Sequence, residues 1–298
     1  MLGRAMFRRI SSSRKRLLVA VLIALISATS GFSVASLILS VTSERDKLSH
    51  QLEEFCTWPL HPLSIDNSEY VSKAVQFLTR NQFDSQLNLT REGTSGGRER
   101  TYWLLSDNLL ASKALQPYNA TVSTRIWNAM VKYGFAKNGL HESLFGCVIP
   151  IPPVASTTEN LTATSSYTVK VELHNSTQRF SDFREYGDLL VYVALRSQWL
   201  GNRPDAEANF EKAVMMWDGK GIRDKAFTGE YQTYKLALIL YASRILNIPL
   251  QQEQEMRDRM WAMQRADGGL WTGYNADLQP SSVDVNTETT ALAILAGA

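Results

Sequence analysis

Across residues 67–298, apolar positions recur at the three-to-four-residue spacing of helices. The pattern predicts eight helices, over about 69–81, 103–116, 121–135, 184–200, 205–217, 231–246, 251–264 and 286–297. The links between them alternate in length. Helices two and three, four and five, and six and seven are joined by about four residues, and each link holds one proline: Pro117, Pro204 or Pro249. Proline fixes φ and cannot continue a helix, so these links read as sharp reversals. The remaining links, 82–102, 136–183, 218–230 and 265–285, are long. Antiparallel packing would gather them at one end of the array, where sites usually sit on a rigid scaffold.

A weak repeat supports two classes of helix. The segments SDNLLASKAL from Ser106, YGDLLVYVAL from Tyr186, TYKLALILYA from Thr233 and TETTALAILA from Thr287 each start polar and continue apolar. A helix that is apolar on most faces is an inner helix, whereas the charged segments Asp205–Trp217 and Gln251–Gln264 read as outer ones. One stretch departs from the helical period. Val169, Val171 and Leu173 alternate with Lys170, Glu172 and His174, the period of a strand. Residues 142–177 are therefore expected to form a β-hairpin insertion, with Ser143–Pro150 as the partner strand.

The N-terminal part has a different character. Residues 1–16 carry six basic residues and no acid, and Leu17–Val41 follows with no charge. A 25-residue helix is roughly 37 Å long, enough to cross a hydrocarbon core of about 30 Å with some tilt. The positive-inside rule then puts 1–16 in the cytoplasm and the body outside. A cleaved signal peptide is the competing reading, with Leu17–Ile26 as its apolar region and Ser27–Gly31 as its small-residue site. The apolar run continues through Phe32–Val41, which a cleaved signal does not need. Residues 42–66 read as an extracytoplasmic stalk, broken by Pro59 and Pro62. Four sequons, at Asn88, Asn119, Asn160 and Asn175, lie in stretches that read as loops and fit an exported glycoprotein. Cys56 and Cys147, the two cysteines, are expected to pair as a disulfide in that compartment; two buried thiols are the alternative. Beyond the basic tail the chain is mildly acidic with no basic face, which argues against nucleic acid as a partner.

The inner and outer alternation, together with the phrase QRADGGLW from Gln264 and NTETTALAIL from Asn286, resembles the α/α-toroid proteins. These include six-hairpin glycosidases, terpenoid cyclases and protein prenyltransferases. In such toroids the phrase reverses the chain at a hairpin end, with Gly268 and Gly269 supplying positive φ and Trp271 packing back over the helix. The acidic cluster of the cyclases is absent. The histidines His50, His61, His141 and His174 lie outside the inner helices, which disfavours the prenyltransferase zinc site. The thioester motif of complement-type toroids is also missing. The glycosidase-like toroid remains, although four hairpins are fewer than six. The expected fold is thus mostly α: a toroid-like array of about four helical hairpins with a β-hairpin insertion, preceded by one transmembrane helix.

The uncharged N-terminal run and the resemblance together imply a membrane-anchored protein that binds or processes polysaccharide or glycan, and if an enzyme, a hydrolase or lyase. The alternative is a non-catalytic surface scaffold for protein contacts. Glycosidic chemistry needs two carboxyls across the bond and aromatic surfaces for the sugar. Asp107, Asp188 and Glu288 are the candidate catalytic carboxyls, because each opens a different inner helix. Trp103, Asn108, Tyr231, Gln232, Lys235 and Asn286 are the candidate ligand-binding residues. First-turn or capping duty at helix N-termini explains the acids equally well. Asp218 and Asp224, around glycines, could hold Ca²⁺, but the EF-hand spacing is not met and a glycine-rich turn explains them too. No other metal or cofactor is indicated.

Overall fold

Two kinds of helix build the described part of the chain, and burial separates them. The computed structural model describes residues 68–93, 102–134, 140–163, 168–281 and 284–297. The tail (1–16), the anchor (17–41) and the whole stalk (42–66), with Cys56, lie outside these residues. Among the described residues no helix is long and apolar enough to cross a membrane.

Eight α-helices occur in the described residues: α1 Glu69–Gln76, α2 Leu105–Leu115, α3 Ala120–Lys132, α4 Gly187–Trp199, α5 Arg203–Val214, α6 Thr233–Leu246, α7 Glu253–Ala262 and α8 Thr287–Gly297. In α2, α4, α6 and α8 nearly every position is buried. The others bury one stripe, such as Ala206, Asn209, Phe210 and Ala213 on α5, the i, i+3, i+4, i+7 face of a surface helix. The helix-rich expectation therefore holds, and the even-numbered helices are the inner ones. The inner helices stand side by side in the order α2, α8, α6, α4. Each carries one outer helix: α3 on α2, α1 on α8, α7 on α6 and α5 on α4. Between α2 and α4 sits a 3-10 helix, His141–Phe145, which packs on both.

Several boundaries move for identifiable reasons. Helix α1 passes into a π-helical turn, Phe77–Gln82, which carries Phe77 and Leu78 into the core. Pro204 lies inside the first turn of α5 rather than in the preceding link, where its missing N–H costs no hydrogen bond. Outer helices α1, α3 and α5 have side-chain caps from Ser68, Asn119 and Asn202. Inner helices α2 and α6 instead leave directly from short strands, β3 Tyr102–Leu104 and β6 Glu230–Gln232, and have no side-chain cap.

The sheets lie at the N-terminal ends of the inner helices. Strand β1 Phe83–Asp84 pairs with β2 Leu89–Thr90, and β6 pairs with β7 Gly273–Asn275, both antiparallel. The insertion is a hairpin, but its first strand is β4 Val154–Ala163 and not Ser143–Pro150, part of which forms the 3-10 helix. Strand β5 Thr168–Arg179 pairs with β4 on one side and, in parallel, with β3 on the other. Asn160 and Asn175 therefore lie on strands rather than in loops. Asn88 sits in a turn at φ 58 and Asn119 caps α3. Both accept hydrogen bonds through Oδ1, from Arg125 Nε at 2.8 Å and from Val122 N at 3.1 Å.

The Gln264 phrase closes the array. Gly268 takes φ +98, and a Cβ there would meet the Lys73 carbonyl at 2.1 Å. Only the first glycine needs positive φ. Gly269 is needed for space, since a Cβ would lie 2.2 Å from Val285 and 2.7 Å from Phe77. The Gln264 amide donates to the Tyr70 carbonyl at 2.8 Å, so the loop before α8 is tied to α1.

Candidate functional site

The inner helices α2, α4 and α8 each place an acid in the first turn: Asp107, Asp188 and Glu288. All three line one cavity of about 200 Å³. Tyr234 from the start of α6, Tyr192 from α4, His141 from the 3-10 helix, and Ser156 and Glu172 from the hairpin complete most of its wall. The site thus forms where the inner helices begin, roofed by the insertion.

Two contacts organise it. Tyr234 donates from its hydroxyl to Asp188 Oδ2 at 2.6 Å, and Asp188 also accepts from Leu189 N. His141 Nε2 lies 3.2 Å from Glu288 Oε1. Burial alone would lower the His141 pKa, but the Glu288 hydrogen bond and charge, with Glu172 and Glu142 behind it, raise it above the ordinary value. Asp107 has the opposite surroundings. It is 2% exposed, and burial, followed by the charges of Glu288, Glu92 and Glu172, pushes its pKa well above the usual carboxylate range. The result is an acid whose protonated form is favoured by burial and like charges, beside an acid hydrogen-bonded to a histidine whose charged form is favoured by its neighbours, in one cavity. Two groups biased in this way are the kind of pair acid–base catalysis uses.

A second cavity of about 240 Å³ adjoins the first. Its lining includes Thr228, Glu230, Gln232, Thr272, Asn286 and Thr289, and it shares Tyr234 and Glu288 with the first cavity.

Of the expected ligand-binding residues, Gln232 and Asn286 line this second cavity, while Trp103, Asn108, Tyr231 and Lys235 line neither. Trp103 is buried in the core. Asn108 clamps β2, accepting from Thr90 N at 2.7 Å and donating to Thr90 O at 2.9 Å. Successive helical positions point about 100° apart, so Asp107 and Asn108 cannot both face one cavity. The same rotation separates Tyr234 from Lys235, whose amine meets Asp224 Oδ2 at 2.6 Å. Tyr231 donates to Asp218 at 2.6 Å. Asn286 also caps α8, accepting from Thr289 N at 2.9 Å.

The pair considered for Ca²⁺ is occupied within the fold. Asp218 accepts from Lys220 N and Gly221 N, and Asp224 from Gly187 N and Ala226 N. Among the described residues no group of three His, Cys, Asp or Glu is arranged to hold a metal. The disulfide expected between Cys147 and Cys56 has one of its two residues, Cys56, outside the described residues.

His141, Tyr192 and Glu172 were missed as site residues. Their only signal was membership of the link 136–183 and of α4, and the pairing that brings them here is long-range. Compared with protein-family models, curated proteins and solved structures, the chain matches none of them.

Proposed function

We propose that the chain is a membrane-anchored, α/α-toroid-like protein whose cavity binds and hydrolyses glycan outside the cell. The toroid reading is supported by the four inner helices, each backed by an outer one, and by the tie between the α8 loop and α1. One observation carries the function: Asp107, buried so that its protonated form is favoured, shares a tyrosine-walled cavity with Asp188 and with Glu288 on His141. Asp107 gives its proton to the glycosidic oxygen as the bond breaks. Glu288, or Asp188 across from it, draws the proton from the attacking water or meets the developing cation. Tyr192 and Tyr234 offer ring surface to the sugar.

The test is release of reducing ends from a polysaccharide panel. Wild-type chain should cleave at least one member, and Asp107→Asn should lose about 10²–10⁴ of the rate, the usual contribution of a positioned acid. An unchanged rate in that variant would remove Asp107 from the chemistry. A non-catalytic scaffold is the second reading. The pairing of Lys235, Asn108 and Tyr231 within the fold favours it, and it predicts no cleavage of any member.

A further inference from the structure

Neither cavity suffices alone. Ligand pockets run from about 300 Å³ upward, whereas these measure about 200 and 240 Å³. They share Tyr234 and Glu288, so a ligand lying across those two side chains would occupy both and reach that range. The two halves also differ in chemistry. The first holds the acidic and basic side chains of Asp107, Asp188, Glu172 and His141. The second is walled by hydroxyls and amides, Thr228, Thr272, Thr289, Gln232 and Asn286, with Glu230 as its one acid besides the shared Glu288. A set of short neutral donors and acceptors suits a ring with several hydroxyls and offers no ion pair to an anionic group.

Charge narrows the ligand further. Asp107, Glu172, Asp188, Glu230 and Glu288 line the two cavities, and His141 is the single basic side chain among the described lining residues. Lys235, close by in sequence, is held by Asp224. The N-termini of the inner helices supply about half a positive charge each, and first-turn acids already face those of α2, α4 and α8. The remaining field is negative.

We infer that the two cavities form one trough, and that its ligand is a glycan segment of at least two units laid across Glu288 and Tyr234, built of neutral or amino sugars and not of uronic acids. This rests on the glycan reading above. It adds that the second cavity is a binding subsite and that the ligand's charge is selected.

Calorimetry on the full chain tests it, with four probes: a neutral β-glucan tetramer, a chitosan tetramer, a tetragalacturonate and glucose. The chitosan and glucan tetramers should bind at least about tenfold more tightly than both glucose and the galacturonate, since one well-placed contact or one like charge of this kind is worth at least about one decade. Thr228→Trp places bulk on an exposed position at the second cavity; it should weaken both tetramers, and tetramer binding at wild-type strength in this variant would overturn the assignment of that cavity as a subsite. Glucose binding as tightly as the tetramers, or galacturonate binding tightest, overturns the inference and leaves the glycan reading in place. If none of the four binds and the polysaccharide panel is also uncut, the glycan reading itself falls, and the inference with it.

Discussion

Asp107 is 2% exposed and the Asp224 side chain 1%, yet their neighbours are opposite. Asp224 receives the Lys235 ammonium at 2.6 Å and the N–H groups of Gly187 at 2.8 Å and Ala226 at 3.0 Å. Asp107 is hidden near Glu288, Glu92 and Glu172, whose charges add to burial in raising its pKa. A carboxylate with a cation and two amides is part of the frame, joining α4, the 218–230 loop and α6. A carboxyl surrounded by like charges costs stability. Such an arrangement persists where a proton must be held for use, which is why perturbed acids in cavities point to function.

The frame half of the comparison should give the largest effect. Lys235→Met leaves Asp224 buried without its cation, and breaking a buried pair costs about 3–5 kcal/mol. For a domain of this size that lowers the melting temperature by roughly 6–20 °C. Thermal denaturation at neutral pH checks it. A loss below about 1 kcal/mol, within the range of an exposed ion pair, would erase the distinction between the two aspartates.

Asp107→Asn should act in the reverse direction on stability. A carboxyl whose folded pKa lies above its unfolded value takes up a proton on folding. Its burden is absent below the unfolded value of about 3.9 and grows as pH rises toward the folded value. Asparagine cannot ionise, so the variant should melt at least about 2–4 °C above wild type at pH 7 and coincide with it near pH 3.5. The two melting curves against pH decide the matter. If the variant is less stable at pH 7, Asp107 belongs with Asp224 as a structural group.

Part of this contrast is legible in the sequence. The eight helices follow from period and proline, and the three cavity acids were found because each stands just inside an inner helix. The partner of Glu288 could not be read. His141 reaches Glu288 across 147 residues, from a 3-10 turn with no repeating pattern. Strand β4 was missed because its outer stretch is exposed through Asn160 and shows no alternation of apolar and polar residues. The three-residue β3 is too short to show any period. Asn108 and Lys235 were assigned to the site because sequence proximity hides the 100° turn per residue that sends them to β2 and to Asp224.

The smallest expected effect concerns the one basic side chain among the described lining residues of the cavity. His141 lies beside Glu288 with Tyr192 at 6.3 Å between ring centroids, and Glu172 and Glu142 add to its positive bias. Its folded pKa is raised, so the stability it supplies is complete below the unfolded value of about 6.5. That stability is lost as pH rises through the folded value. Wild type should therefore lose on the order of 1 kcal/mol between pH 6 and the far side of that titration, a contribution that a partly buried pair of this exposure can make. His141→Gln keeps a donor near Glu288 but cannot titrate, so its melting temperature should stay flatter over the same interval. Urea titrations at pH 6 and pH 9 measure the difference directly. Parallel pH slopes in the two proteins would mean that His141 binds its proton equally well folded and unfolded, and a wild-type slope of the opposite sign would mean that folding disfavours the imidazolium.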